Sequence, residues 1–228
     1  ADTTGVAGND GAIVFIYSDG LSKVWYRFFA NQDATSVGGA APLNSPIIAP
    51  PPGTPFRLRL LLLNNSTSSP IATNGTTTQL QIAEKDGTCD ADFIGETYVD
   101  MSDTTDIAFY NNTTPSDNSA LIANNQDPQF HLATSSPKVV NQTYEESGTF
   151  TNSQGEIGGG WGALWDFALT DNGISRRTSY CIRAVQASNG SRFVLEGDYL
   201  VFPEVIVNPS DIRVRLRGEI KLRNARLF

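Results

Sequence analysis

Apolar and polar residues alternate with a period of two over short stretches of this chain. Phe56–Leu63 carries Phe or Leu at every even position, opposite a face that begins with Arg57 and Arg59 and ends apolar. Such alternation predicts a β-strand, because successive strand side chains point to opposite faces of a sheet. No window of 11 or more residues combines helical spacing of apolar positions with an N-cap, so no helix is predicted.

Runs rich in β-branched and aromatic residues, each bounded by Gly, Pro, Asn or Asp, predict further strands. They are Ala12–Tyr17, Lys23–Phe29, Thr77–Lys85, Ile107–Tyr110, Val139–Tyr144, Trp165–Leu169, Ser179–Gln186, Phe193–Leu195 and Tyr199–Val207. Ser18-Asp19-Gly20 predicts a hairpin turn between the first two. Pro42–Pro55 is predicted to be an ordered surface connection, because proline lacks the N–H donor that a central strand needs. The longest polar stretch, Asn111–Lys138, predicts a structured loop.

This pattern predicts an all-β fold, a β-sandwich of the Ig-like or jelly-roll-like kind, with long loops and a C-terminal strand extension. We expect an N-terminal arm at 1–11, the sandwich domain at 12–210 and a donor-type strand at 211–228. The predicted core residues are Phe56, Leu58, Leu60, Leu80, Ile82, Trp165, Phe167 and Ile182.

The end of the chain has the longest regular alternation. Even positions from Ile212 to Leu222 are apolar or small, and odd positions from Arg213 to Arg223 are charged. This pattern predicts an amphipathic strand that is long by ordinary standards. If it pairs with another copy of the chain, the interface residues are Ile212, Arg213, Val214, Arg215, Leu216, Arg217, Gly218, Ile220, Leu222 and Arg223.

Charge separates this tail from the rest of the chain. The whole chain has a net charge of −8, whereas residues 211–228 hold six basic and two acidic groups. The strongly acidic remainder would repel phosphates, so nucleic acid is not an expected partner. With 39% hydrophobic and 18% charged residues the chain is not predicted to be disordered. No apolar stretch is long enough to predict a membrane span.

The two cysteines, Cys89 and Cys181, bear on the compartment. The sequence begins with Ala1, and we expect it to be a mature protein from which a signal peptide was removed, located at the cell surface. In an exported chain two thiols most simply form one disulfide. Closing a loop of about 90 residues would stabilise the fold by about 4–5 kcal/mol. Two unpaired buried cysteines are the alternative.

No catalytic motif is found, so no enzyme is predicted. His131 is the only histidine, and no motif flanks it. Glu145 and Glu146 are adjacent and would face opposite ways on a strand, so they cannot form a glycosidase pair together, and a solvated strand end is expected.

No cofactor is predicted, and calcium is the candidate that the acidic stretches bring into consideration. Asp86, Asp90 and Asp92 are oxygen ligands in a turn-rich stretch but lack the EF-hand spacing. Asp100, Asp103 and Asp106 form a looser cluster. Solvated turns are the simpler interpretation of both.

Surface glycans are considered both as ligands and as modifications. Trp161, after three glycines, is a candidate platform for stacking on a sugar. Asn-x-Ser/Thr sequons mark expected surface loops and glycosylation candidates. They lie at Asn64, Asn65, Asn74, Asn111, Asn112, Asn141 and Asn189.

Several phrases carry a family resemblance. They are Trp25-Tyr26-Arg27-Phe28-Phe29-Ala30-Asn31, Pro55-Phe56-Arg57-Leu58-Arg59, Leu80-Gln81-Ile82-Ala83-Glu84-Lys85, Asn141-Gln142-Thr143-Tyr144-Glu145-Glu146, Trp165-Asp166-Phe167-Ala168-Leu169 and Ser179-Tyr180-Cys181-Ile182-Arg183. The chain thereby resembles a group of uncharacterised secreted β-rich proteins of reduced-genome bacteria, which share a cysteine pair and an Arg/Leu-alternating tail. The resemblance implies an exported surface protein and supports the Cys89–Cys181 bond, and it transfers no catalytic residue.

The leading hypothesis is therefore a structural, pilin-like subunit. Copies would assemble into an extracellular filament, tube or surface layer by donating the terminal strand to one another. The alternative is a monomeric adhesin or carbohydrate-binding module, in which Ile212–Arg223 pairs inside its own sandwich.

Overall fold

The computed structural model describes residues 21–64, 66, 68–89, 95–128, 138–174, 178–186 and 202–207. These residues form eleven β-strands, and among them no helix is long and apolar enough to cross a membrane. The strands are β1 (Leu21–Ala30), β2 (Ile47–Ile48), β3 (Phe56–Asn64), β4 (Thr77–Glu84), β5 (Val99–Asp100), β6 (Ile107–Phe109), β7 (Val139–Glu145), β8 (Thr149–Thr151), β9 (Gly162–Asp171), β10 (Tyr180–Gln186) and β11 (Glu204–Ile206).

The first sheet, sheet A, is built around β9. One edge of β9 pairs antiparallel with β3, which in turn pairs with β1. The other edge of β9 pairs in parallel with β7 along its first part and antiparallel with β6 at its end. Every residue of β9 except Thr170 is buried, as expected for a strand with neighbours on both edges and packing on both faces.

The second sheet, sheet B, is built around the antiparallel pair β4 and β10. On the far side of β10 lies β11, followed by β2, which runs parallel to β11. On the far side of β4, β8 pairs near its beginning and β5 near its end. Strands β2 and β5 are therefore at opposite ends of the sheet.

The core lies between the two sheets. All eight predicted core residues belong to it and are at most 3% exposed, and each such burial stabilises the fold by about 1.5–3 kcal/mol. Trp165 of sheet A joins the layers, because its Nε1–H donates to the Thr151 carbonyl of β8 at 3.1 Å. The Trp165 ring packs edge-on against the ring of Phe150 in β8, with the two ring centroids 5.1 Å apart. The prediction of an all-β sandwich is confirmed.

The longer predicted strands coincide with β1, β3, β4, β6, β7, β9 and β10, and the end of Tyr199–Val207 forms β11. Ala12–Tyr17, Phe193–Leu195, the N-terminal arm and the tail lie outside the described residues. Three strands of two or three residues, β2, β5 and β8, were not predicted. The Pro-rich connection contributes β2, an outer strand of sheet B, which agrees with its predicted exclusion from the centre of a sheet.

The described part of the predicted long loop, residues 111–128, lies over the outer face of sheet A. Leu121 packs there with Leu61 and Leu164. The same segment follows the outer edge of β7, where the N–H of Asn118 donates to the Tyr144 carbonyl at 2.9 Å. This stretch is thus ordered against the sheet, as expected.

Candidate assembly surface

The predicted donor strand, Ile212–Arg223, lies outside the described residues. A donated strand needs an edge whose backbone groups are still available. Two edges of sheet A are covered by the chain's own segments. Residues 37–44 run along the edge of β1, where the N–H of Ala41 donates to the carbonyl of Phe28 at 2.8 Å. Residues 118–121 run along the edge of β7, where the N–H of Leu121 donates to the carbonyl of Gln142 at 2.9 Å.

Sheet B has a different edge at β5. The N–H of Met101 donates to Leu80 O at 2.9 Å, and Val99 pairs with Ile82. Because backbone polar groups alternate in direction along an antiparallel strand, Asp100, between these two pairs, directs its N–H and carbonyl away from β4. No strand of the described part of the chain pairs with that side. Val99 is 51% exposed, so this edge also offers an apolar side chain to solvent.

A cleft of about 250 Å³ opens where β4 continues past β5. Ile82, Ala83 and Val99 give it apolar walls, and Tyr180 lies across it on β10. The Tyr180 hydroxyl donates to Asp106 Oδ2 at 2.6 Å, which ties the turn at 102–106 to sheet B. The cleft is therefore bounded by a fixed turn on one side and by the end of the β4–β5 pair on the other.

The disulfide predicted from the cysteine count lies beside this edge. Cys89 and Cys181 are bonded, with their Cα atoms 5.6 Å apart, within the usual range for such a bridge. It joins β10 to the segment that follows β4, and the two residues pack with Phe202.

The stretch of sequence that contains β5 is strongly acidic. From Glu84 to Asp106 the sequence holds eight carboxylates and one lysine, a net of −7 within a chain of −8. The single lysine, Lys85, is held by Glu204 at 2.8 Å. Glu84, Asp100 and Asp103 are exposed. Sequence reasoning treated six of these acids as two separate calcium candidates, and it did not count the charge of the whole stretch.

The outer face of sheet A is closed by a buried ion network. Arg57 holds Asp166 with two bonds, Nε to Oδ1 at 3.0 Å and Nη2 to Oδ2 at 2.7 Å. Arg59 Nε donates to the same carboxylate at 3.1 Å, and its Nη1 forms an ion pair with Asp127 of the covering segment. Both arginines are 1% exposed. Through Asp127, Arg59 links residues 111–128 to the sheet. The charged outward face at this end of β3 is therefore buried, although charged side chains are usually exposed.

Glu145 corrects the expectation of a solvated strand end. It is 0% exposed, because the neighbouring segment follows the edge of β7 and Ala120 pairs with Thr143. Burial raises the pKa of Glu145 to about 7, the Thr143 hydroxyl that donates to it lowers the pKa, and the charge of Asp117 raises it further. Glu146 is half-buried and accepts a hydrogen bond from the Tyr144 hydroxyl at 2.5 Å. Burial, and then this hydrogen bond, raise the pKa of Tyr144 well above its usual range.

The other candidate chemistry does not converge on one place. In the described part of the chain no three carboxylate, cysteine or histidine side chains are grouped so that they could hold a metal ion. Asp86 is exposed, and Asp90, Asp92 and His131 lie outside the described residues. Trp161 has its ring against Gly158 and the Lys138 ammonium 4.2 Å from its centroid, so it is a poor platform for a sugar.

Two of the sequons are not surface sites. Asn64 is 0% exposed and its Nδ2 donates to the carbonyls of Ile157 and Gly158. Asn112 is 5% exposed and its Nδ2 donates to the Tyr144 hydroxyl at 2.7 Å. Both amides are buried and engaged in hydrogen bonds within the fold, which corrects their prediction as glycosylation candidates. Asn74 and Asn111 are exposed, Asn141 is half-buried on β7, and Asn65 and Asn189 lie outside the described residues.

No protein-family model, curated protein or solved structure matches this chain.

Proposed function

We propose that this protein is a structural subunit that assembles outside the cell into a filament, tube or surface layer. Each copy donates its terminal strand, Ile212–Arg223, to the next copy. Backbone hydrogen bonds provide the pairing, and the apolar even-numbered side chains pack against the acceptor. Because donor and acceptor are different surfaces, the contact is head-to-tail and produces an open polymer where the rotation between copies does not close a ring.

The tail itself carries this proposal. A strand of 12 regularly alternating residues is longer than β1 and β9, which have 10 residues each. Its apolar face, from Ile212 to Leu222, would need a partner of similar length to be covered. Five aliphatic side chains buried at about 1.5–3 kcal/mol each would supply about 7–15 kcal/mol before the cost of ordering the strand.

The described body supports an extracellular location. A disulfide joins β10 to the segment after β4, and such bonds form and persist in oxidising compartments. The buried ion network and the disulfide each fasten a segment that lies outside the central strands, which suits a subunit exposed to the environment. No catalytic role is proposed.

The alternative proposal is a monomeric surface module whose tail pairs with its own sandwich. The contacts of Trp161 with Gly158 and Lys138 disfavour the glycan-stacking form of this alternative. Particle size distinguishes the two, since a monomer has a mass of 24.6 kDa and a filament is visible by electron microscopy.

The test compares the intact chain with a variant lacking residues 211–228, by analytical ultracentrifugation and negative-stain microscopy. We expect the intact chain to form large particles and the truncated chain to remain folded but unassembled. A peptide of residues 211–228 should then bind the truncated chain. If the intact chain is monomeric at every concentration and the truncated chain unfolds, the tail belongs to its own sandwich and the proposal is wrong.

A further inference from the structure

We infer that the acceptor for the donated tail is the β5 edge of sheet B with the cleft beside it, and that a second copy's tail is recognised there by charge as well as by backbone pairing. This inference rests on the proposed function. It identifies which surface of the body takes part, and it names the occupant as Ile212–Phe228 of a neighbouring copy.

Backbone geometry provides the first step. Asp100 lies between the hydrogen-bonded positions Val99 and Met101 and directs its own backbone groups away from β4. An added strand would pair with β5 on that side and continue alongside the cleft toward Thr97. Within the described residues this side of β5 has no pairing strand.

The cleft provides the second step. Its volume of about 250 Å³ exceeds the roughly 150 Å³ cavity that holds a benzene molecule in another protein. It can therefore accept one or two aliphatic side chains of the tail, such as Val214 or Leu216. Val99, half exposed at its rim, would be covered by the same contact and would gain the free energy of burial.

Charge provides the third step and identifies the occupant. The described residues 84–89 and 95–106 hold six carboxylates and one lysine, a net charge of −5, and the tail has a net charge of +4. With apolar side chains in the cleft, the tail's alternate arginines would lie on the outer face of sheet B, where Asp100 is exposed beside Gln81. The exposed Asp103 lies in the adjoining turn, and Glu84 lines the cleft itself. Such complementarity sets register and speeds encounter, and it weakens as salt is added.

The opposite end of sheet B is a natural comparison. Strand β2 also exposes an apolar side chain, Ile48, at 63%. However, residues 42–55 contain no charged side chain, and β2 lies between Pro46 and Pro50, which have no N–H to donate. Proline next to an outer strand is a common means of preventing further pairing. Of the two ends, β5 is the one suited to a basic strand.

The position of the tail in the chain favours a second copy as its source. Strand β11, which precedes the tail, is separated from β5 by β10 and β4. To reach β5, a copy's own tail would have to cross the face of sheet B. A neighbouring copy can approach β5 directly, and the resulting contact is head-to-tail.

The test uses the full-length chain with reversed charges. The edge variant is Asp100→Lys with Asp103→Lys, and the tail variant is Arg213→Glu with Arg215→Glu. The control is Glu156→Lys, an exposed acid next to the bridge between Ile71 and Ile157. We expect the edge and tail variants each to raise the critical concentration for assembly by roughly tenfold or more, and the control to change it less than about twofold. The chain that combines both reversals should recover assembly, which a merely misfolded variant would not do.

The outcomes separate the two proposals. If the wild-type chain does not assemble, both the function and this acceptor are wrong. If it assembles through its tail but the edge variant assembles as the control does, the acceptor lies elsewhere and the proposed function stands. Circular dichroism of each variant establishes that it is folded, and loss of assembly without recovery in the combined variant would overturn the charge pairing.

Discussion

Glu145 should make the stability of this protein depend on pH in a direction opposite to that of most carboxylates. Burial raises its pKa from 4.5 to about 7. The folded protein therefore keeps the proton over a range in which the unfolded chain releases it, and stability falls as the pH rises from about 4.5 to about 7. Since each pKa unit corresponds to about 1.4 kcal/mol, the penalty for ionising Glu145 reaches about 3 kcal/mol above that range.

The substitution Glu145→Gln removes the titration and keeps the size of the side chain. We expect its free energy of unfolding, relative to wild type, to increase by about 3 kcal/mol between pH 4 and pH 8. The measurement is urea unfolding at a series of pH values, monitored by tryptophan fluorescence, to which the fully buried Trp165 contributes. Comparing the two proteins at each pH cancels the contributions of the other carboxylates.

Thr143→Val provides a second variant with an independent expectation. The Thr143 hydroxyl donates to Glu145 and lowers its pKa, so removing it should extend the pH-dependent range to higher pH. Parallel stability curves for wild type and Glu145→Gln over the whole range would refute the reasoning, because they would mean that Glu145 is solvated in the folded protein.

Two further predictions concern the body. Asp166→Asn should lower the free energy of unfolding by about 3–5 kcal/mol, because it leaves Arg57 and Arg59 buried without a shared carboxylate. The control Glu204→Gln breaks the partly exposed pair with Lys85 and should lower the free energy of unfolding by less than about 1 kcal/mol. Equal effects of the two substitutions in urea unfolding would contradict the stabilising role of the buried network. When the protein is secreted from a host that glycosylates sequons, we expect sugar on the exposed Asn74 and Asn111 and none on the buried Asn64 and Asn112. Mass spectrometry of tryptic glycopeptides measures this. A glycan at Asn64 on folded protein would contradict the hydrogen bonds assigned to that side chain.

The sandwich and its core could be predicted because their signal is local. In β3 the inward face is apolar at Phe56, Leu58, Leu60 and Leu62, and all four are buried between the sheets. The disulfide followed from the number of cysteines and the expected compartment. In each case a short stretch of sequence, or a count, contains the physical reason for the result.

The outward face of β3 could not be predicted in the same way. Arg57 and Arg59 are buried because Asp166, more than 100 residues further along the chain, lies opposite them, and because residues 111–128 cover the pair. Glu145 is buried for a similar reason, since Ala120 follows the edge of β7 at Thr143. Strands β2, β5 and β8 have two or three residues, so only their partners make them strands.

The same covering segments bear on how the protein could assemble. In the described residues, sheet A has 37–44 along β1 and 118–121 along β7, and sheet B has a proline-flanked strand at one end. Exposed edges promote uncontrolled association, and native sheets usually protect them. The edge at β5 keeps outward backbone groups, an exposed Val99 and exposed acids, and it therefore differs from the proline-flanked β2. A polymer that grows in one direction needs one such edge on each subunit and one strand that fits it, and the basic tail has the charge and the alternation to be that strand.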